Sequence, residues 1–302
     1  MQRAVSRRWA GAHTGANYRS EERSRYVETA DMLVRRIDLG RLMIAVGLLG
    51  FGTLTLIYGD FGLNWQRVPE WVPARGLLAY AAGAIEVAAA AALLLKRTSV
   101  LAAFVLTPYT LLWVLLLDVP PLLSNLGVEG EWLSVGERAE LFAGVWILAI
   151  TLARAQNRAT LERFTDDQAL RVARIVFGLA LIPVGLSHLV YPDAVSFVPA
   201  WLPFRMLWLY ATGIGHIAAG VALSISVLPR IAAVMEAAMM TSFVLLIHVP
   251  RVFASPHIRV EWTMLCIATA FSGAAWSTAR SYNRDAWVWW AGRRPVPKDS
   301  AA

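Results

Sequence analysis

Eight long apolar segments constrain what this chain can fold into. A helix that crosses the ~30 Å hydrocarbon core of a bilayer needs roughly 20 mainly apolar residues. Hydrophobic residues make up 57% of the chain and charged residues only 16%, which argues against a soluble globule. The pattern therefore predicts an all-α integral membrane protein with eight transmembrane helices. The predicted spans are 40–58, 77–95, 98–118, 139–155, 173–191, 206–227, 231–249 and 261–279.

The segments outside the spans divide the chain further. Residues 1–38 are polar and arginine-rich and lack the apolar core of a cleavable signal, which predicts a retained basic tail. A charged linker follows the fourth span, and tryptophan alternates with arginine near the end, as in an interfacial anchor. The predicted divisions are a tail (1–38), a first four-helix unit (39–155), a linker (156–172), a second four-helix unit (173–280) and a tail (281–302).

Basic residues concentrate at the N-terminus, after the last span and in every second connection between spans. The positive-inside rule places those segments, and with them both termini, in the cytoplasm. This distribution accounts for most of the net charge of +7, so the lipid bilayer is a better partner than nucleic acid.

The chain contains a single cysteine, Cys266, which excludes a dithiol relay or a disulfide framework within it. It also lacks a glycine-rich phosphate loop, a serine nucleophile elbow and a CxxC motif. No catalytic residue is assigned from sequence.

The two four-helix units are tandem copies. Residues match first at a separation of 133 (185 minus 52) and then, after a three-residue deletion, at 130 (205 minus 75). Each unit has an even number of spans, so the copies are expected to share one orientation, related by an axis along the membrane normal. Matching pairs include Gly52 and Gly185, Tyr58 and Tyr191, Trp71 and Trp201, Arg75 and Arg205, and Gly83 and Gly213.

Ionisable side chains inside the spans are costly in hydrocarbon and are therefore candidates for a functional site. Aligning the copies sorts them into layers in the outer half of the membrane, with one copy acidic and the other rich in histidine. The aligned pairs are Thr55 and His188, Glu86 and His216, Asp118 and His248, and Glu131 and Glu261.

Glu86 and His216 form the layer closest to the centre of the membrane. Tyr210 lies six residues before His216, with Gly213 between them, and this spacing predicts one helical stripe that contacts a cofactor. A carboxylate at the depth of Glu86 requires a cation or a proton, and Arg75 and Arg205 are the nearest cations in sequence.

Glu236 has no acidic counterpart in the first copy. Its position near the cytoplasmic end of the seventh span predicts that its side chain reaches toward the inner surface.

The histidines suggest a second kind of site. His188, His216 and His248 lie on three helices of one unit, and imidazole is a ligand for zinc, copper and haem iron. The alternative is that each histidine forms hydrogen bonds across a helix interface. No metal-binding spacing on a single helix decides between the two.

The second copy resembles the DoxX-like membrane proteins. The resemblance is carried by "RIVFGLALIPVGLSHLVYP", by "GIGHIAAGVAL" and by the ending "HVP" of the third helix, and it covers about 40–155 and 173–279. Those proteins are small four-helix proteins of the bacterial inner membrane, some associated with thiosulfate:quinone oxidoreductase. The resemblance implies three polar positions: one late in the first helix, an acid in the second and a histidine ending the third. In the second copy His188 and His248 occupy the first and third positions, whereas the acid is kept in the first copy, as Glu86.

The resemblance implies a multi-pass protein of the bacterial inner membrane. It further implies a membrane subunit or accessory of an oxidoreductase system, with quinone and redox protein subunits as partners. Two alternatives remain open at this stage. One is a metal- or haem-binding protein that uses the three histidines; the other is a small-solute transporter or a structural subunit of a membrane complex. The predicted polar site comprises Glu86, Asp118, His188, His216, His248 and Glu261.

Overall fold

The computed structural model describes residues 38–283, and its long regular elements are all helices. The predicted tails at 1–37 and 284–302 lie outside the described residues. Each predicted span corresponds to one long helix. These helices are α1 (Leu39–Tyr58), α2 (Arg75–Leu94), α3 (Ser99–Ser124), α4 (Glu129–Ala155), α5 (Asp167–Val190), α6 (Arg205–Ser224), α7 (Pro229–Ala254) and α8 (Arg259–Ser281).

Six of these helices are long and apolar enough to cross a membrane: all except α4 and α8. The exceptions are the fourth helix of each copy. α4 carries Glu137, Arg138 and Glu140 in its N-terminal half, and α8 carries serine and threonine along much of its length. Both helices are largely buried against the others, so their composition is not set by contact with lipid.

The helices form a closed ring of neighbours in which α4 and α8 also contact each other. α1 packs against α2 and α8, whereas α5 packs against α6 and α4. The first helix of each copy therefore packs against the last helix of the other copy. Instead of the two separate four-helix bundles expected from sequence, residues 39–283 lie in one compact unit.

Small residues explain this interlocking. A Cβ atom added at Gly47 of α1 would lie 2.6 Å from the backbone nitrogen of Ala270 in α8. One added at Gly273 would lie 2.5 Å from the backbone nitrogen of Ile44. Such contacts are open only to glycine, and they bring the two backbones as close as helices can approach.

The two copies repeat unusual local structure at aligned positions. Ala74 and Phe204, the residues before α2 and α6, both adopt positive φ, at 53° and 54°. A π-helical turn interrupts α3 at Val114–Asp118 and α7 at Val244–His248. Each turn is followed by Val-Pro, and proline cannot donate the regular backbone hydrogen bond, so the wider turn accommodates it. Duplication in sequence is thus matched by duplication in backbone geometry.

Candidate functional site

A buried imidazole–carboxylate pair lies between α6 and α7. Nδ1 of His216 is 2.8 Å from Oε1 of Glu236, and each residue is only 1% exposed. The hydrogen bond needs one proton between the two groups, and the pair has zero net charge as imidazolium with carboxylate or as neutral imidazole with carboxylic acid. Zero net charge is what a site screened from water requires, because an isolated buried charge is very costly.

His188 of α5 extends this pair. Its ring centroid lies 5.4 Å from that of His216, and Phe243 contacts both rings at 6.4 and 5.9 Å. A Cβ atom added at Gly213 would lie 2.7 Å from the Cβ of His188, so the glycine makes room for the imidazole. Among residues 38–283, Nδ1 of His188 has no hydrogen-bond partner. We call His188, His216 and Glu236 the imidazole cluster.

The prediction that Glu236 reaches toward the inner surface is wrong, because its side chain is buried against His216. The aligned residue in the first copy is Leu106, so the repeat pattern gave no sign of the pair. A different signal was present. His216 lies eight residues before Ser224, the end of α6, and Glu236 lies seven residues after Pro229, the start of α7. In a helical hairpin, such positions face each other at one depth.

Glu86 of the first copy is aligned with His216 but has different partners. Its Oε1 accepts hydrogen bonds from Nε2 of Gln66 at 2.7 Å and from the hydroxyl of Tyr109 at 2.6 Å. The cations expected from sequence are engaged elsewhere: Arg75 pairs with Asp60. Glu86 is thus held by neutral donors, separately from the imidazole cluster.

Arg205, the other cation considered for Glu86, is also engaged elsewhere. Its guanidinium donates to the backbone carbonyls of Val195 and Val198 at 2.7 and 2.9 Å. It therefore holds the connection before α6 in place and is not the cation that pairs with Glu86.

Asp118, at the end of the π-helical turn in α3, lies in a charged cluster of the first copy. It is 0% exposed and lies 3.2 Å from Arg67 and 3.5 Å from Arg138. Arg67 also binds Glu131 at 2.9 Å. Partial burial works to lower the pKa of Arg67, but hydrogen bonds and charges from Glu131 and Asp118 outweigh it and leave that pKa raised. Arg67 is therefore a fixed cation beside Asp118, and Arg138 brings a second guanidinium to the same carboxylate.

The second copy contains a corresponding arginine–glutamate pair, but its arginine lies on a different element. Glu261 accepts two hydrogen bonds from Arg251, at 2.8 and 2.7 Å. The guanidinium of Arg251 lies 4.8 Å above the ring of Phe197, which is the residue aligned with Arg67. Arginine has thus moved from the loop to α7, and the pairing with the aligned glutamate persists.

His248 is aligned with Asp118, and Ala268 is aligned with Arg138. An ion pair in one copy is therefore replaced in the other by a histidine and a small apolar residue. Nδ1 of His248 has no hydrogen-bond partner within residues 38–283. His248 belongs to the layer of Arg251 and Glu261, at a different level from the imidazole cluster.

The structure brings together only part of the predicted metal-ligand set. His188 and His216 are neighbours, whereas His248 lies in the other layer. Throughout the described part of the chain, no group of three or more histidine, cysteine, aspartate or glutamate side chains is arranged to hold a metal ion. Within residues 38–283, His188, His216 and His248 therefore do not come together as one group of metal ligands.

Tyr210, predicted to bind a cofactor together with His216, lies on another face of α6. It is 37% exposed, whereas His216 is buried. Six residues rotate a helix by about 600°, which leaves the two side chains roughly 120° apart. The prediction of a single stripe is therefore wrong. Gly213 lies between the two faces of α6, but Tyr210 and His216 lie on different faces.

Comparison with known proteins gives one partial match. Residues 177–269 match a family model described as a domain of unknown function (DUF8561). The matched range lies within the second copy and includes the imidazole cluster, His248 and Glu261. No curated protein and no solved structure matches the chain. The region similar to that family is therefore the copy that contains the histidines.

Proposed function

We propose that this chain is a DoxX-like protein of the bacterial inner membrane that crosses the bilayer eight times and has both termini in the cytoplasm. In this proposal it serves as the membrane subunit or accessory of a quinone-linked oxidoreductase system. The imidazole cluster contacts the quinone head group and exchanges protons with it.

Helix lengths and the distribution of charge support the topology. α4 and α8 contain 27 and 23 residues, or about 40 and 35 Å at 1.5 Å per residue, which is enough to cross the hydrocarbon core. Besides contacting each other, both pack against helices that are apolar enough to face lipid. Eight crossings also place the arginine-rich termini on one side, in agreement with the positive-inside rule.

The buried pair of His216 and Glu236 is the observation that carries the proposed site. Reducing a quinone to a quinol takes two electrons and two protons, which must reach the two carbonyl oxygens. In this proposal the electrons come from a partner redox subunit, and the protons come through imidazole, the usual proton carrier near neutral pH. His188 is only half-buried, so a head group that enters from the bilayer meets it first.

Binding of a short-chain ubiquinone to the purified full-length protein tests this proposal. His188→Phe keeps an aromatic ring but removes both imidazole nitrogens, and loss of one hydrogen bond is worth roughly 1–2 kcal/mol. We therefore expect saturable binding to the wild type and binding about tenfold weaker to the variant, measured by titration calorimetry in mild detergent.

Glu86→Gln is the matched control. Glu86 is a buried glutamate of the first copy and is aligned with His216 of the imidazole cluster. It is expected to leave quinone binding unchanged. Equal weakening by the two variants, or the absence of saturable binding to the wild type, contradicts the proposal.

A further inference from the structure

Glu86 of α2 is a buried acid that uses only one of its two carboxylate oxygens. Its side chain is 0% exposed, and the hydrogen bonds from Gln66 and Tyr109 both end on Oε1. Oε2 is buried as well, and it has no hydrogen-bond partner among residues 38–283. A buried ionised carboxylate is costly unless its oxygens are satisfied. The two hydrogen bonds therefore leave half of the carboxyl group without compensation.

The two donors show which oxygen of Glu86 acts as the acceptor. The amide oxygen of Gln66 accepts a hydrogen bond from the backbone nitrogen of Gly62 at 3.0 Å, so its amide nitrogen is the atom that donates to Glu86. The ring of Tyr109 packs edge-on against Trp113, with centroids 5.3 Å apart, and its hydroxyl lies at Oε1. In a carboxylic acid one oxygen carries the proton and the other accepts hydrogen bonds. Two donors on Oε1 and none on Oε2 match that form.

The cations on the elements around Glu86 are directed elsewhere. α2 packs against α1 and α3, and Gln66 belongs to the connection 59–74. Arg75 and Arg67 form ion pairs with other carboxylates. Arg41 of α1 lies eleven residues before Gly52, the residue that packs against Glu86, or about 16 Å along the helix. The neutrality of this site therefore depends on a proton bound at Glu86. The other titratable groups on these elements are acids or tyrosines: Tyr58, Asp60, Glu70, Tyr80, Tyr109 and Asp118.

None of the three residues of this site recurs in the second copy, although the helices that hold them do. α2 and α6 both contain 20 residues and both follow a residue of positive φ. The fold therefore forms without the acid and its two donors. A polar group that is costly to bury and that the fold does not need is a functional candidate. The aligned pairs are Glu86 and His216, Gln66 and Ser196, and Tyr109 and Met239.

We propose that Glu86, Gln66 and Tyr109 form a proton-binding site in the first copy, with the proton held on Oε2 of Glu86. The ligand is the proton itself. When it binds, an O–H bond forms at Oε2 and the carboxylate becomes a neutral acid. When it leaves, that bond breaks, and the two donors on Oε1 stabilise the negative charge. The site contains no member of the imidazole cluster, so the proposal does not depend on quinone.

Infrared spectroscopy of the full-length protein in lipid nanodiscs at neutral pH, in H₂O and in D₂O, tests this proposal. A protonated carboxyl group has a carbonyl stretch that an ionised one lacks, and this stretch moves to lower frequency when deuterium replaces the proton. We expect the wild type to show such a band, which Glu86→Gln removes. If Glu86→Gln instead removes only carboxylate bands, Glu86 is ionised and the proposal is overturned. A band that D₂O does not shift also overturns it, because the proton does not exchange.

Tyr109→Phe tests the arrangement of the donors, because it removes the hydroxyl and keeps the ring against Trp113. The carbonyl oxygen of Glu86 then loses one of its two hydrogen bonds, so we expect the band to move to higher frequency without disappearing. Tyr80→Phe, at an exposed tyrosine of the same helix as Glu86, is the matched control and should leave the band in place. Loss of the band in Tyr109→Phe, or an unchanged frequency, contradicts a proton on Oε2.

The melting temperature of Glu86→Gln separates proton binding from a structural role for the charge. The amide is close in shape to a carboxylic acid, and its oxygen can accept both hydrogen bonds, so we expect the melting temperature of the wild type to be retained. A clear drop indicates an ionised carboxylate that stabilises the fold and contradicts the proposal. Replacing choline chloride by sodium chloride should leave the infrared band unchanged. A band that sodium removes indicates a metal-cation site and overturns proton binding as its role.

Discussion

Arg138→Ala should lower the free energy of unfolding by about 3–5 kcal/mol, the range found when one partner of a buried ion pair is removed. Arg138 is almost fully buried and lies 3.5 Å from Asp118, which is itself completely enclosed. The same guanidinium donates to the backbone carbonyls of Asn64 and Ser134. Removing it leaves a buried carboxylate with Arg67 as its remaining cation. Equilibrium unfolding with sodium dodecyl sulfate in mild-detergent micelles measures the change.

The second copy supplies the compensating change, because it has histidine and alanine at the aligned positions. The double variant Asp118→His, Arg138→Ala should therefore recover more than half of the stability that Arg138→Ala loses. Arg163→Ala, at an exposed arginine of the linker, is the control and should stay within about 0.5 kcal/mol of the wild type. If the double variant is less stable than Arg138→Ala alone, His248 and Ala268 are not structural equivalents of Asp118 and Arg138.

Gly47→Leu should cost at least about 3 kcal/mol, since it overpacks the contact between α1 and α8. The nearest atoms to an added Cβ are the carbonyl oxygen of Cys266 and the backbone nitrogen of Ala270, at 2.5 and 2.6 Å. Backbone atoms cannot rotate away as a side chain can, so the helices must separate. The same unfolding assay measures the loss.

Gly76→Ala is the matched control for this contact. The nearest atom to an added Cβ at Gly76 is 3.9 Å away, so alanine should fit there and leave stability equal or slightly higher. A small effect of Gly47→Leu, comparable to that of Gly76→Ala, contradicts the close packing of the first helix of one copy against the last helix of the other.

The positions of the helices could be predicted from sequence because each apolar segment approaches the length needed to cross a bilayer. The duplication could be predicted too, since glycine, proline and tryptophan recur at fixed separations. The packing of α1 against α8 could not, because sequence periodicity identifies the face that is buried and not the helix that buries it. The contacts of Gly47 become visible only when both helices are in place.

The histidines of the candidate site could be predicted from the sequence, but its carboxylate could not. His188 and His216 stood out as costly groups within apolar segments, and the structure brings them together. Glu236 faces Leu106 in the alignment, so comparing the copies gave no reason to select it. Arg251 replaces Arg67 from a different element, a substitution that conserves the contact without conserving the position.

The proposed function requires that the imidazole cluster of the second copy receives a quinone head group. Photoaffinity labelling of the full-length protein with an azidoquinone, followed by mass spectrometry of the labelled peptides, tests this requirement. We predict label on peptides from α5 to α7 that contain residues 185–243, and loss of that label when excess unlabelled quinone competes. Label centred on Glu86 in the first copy, or label that unlabelled quinone does not reduce, contradicts the claim.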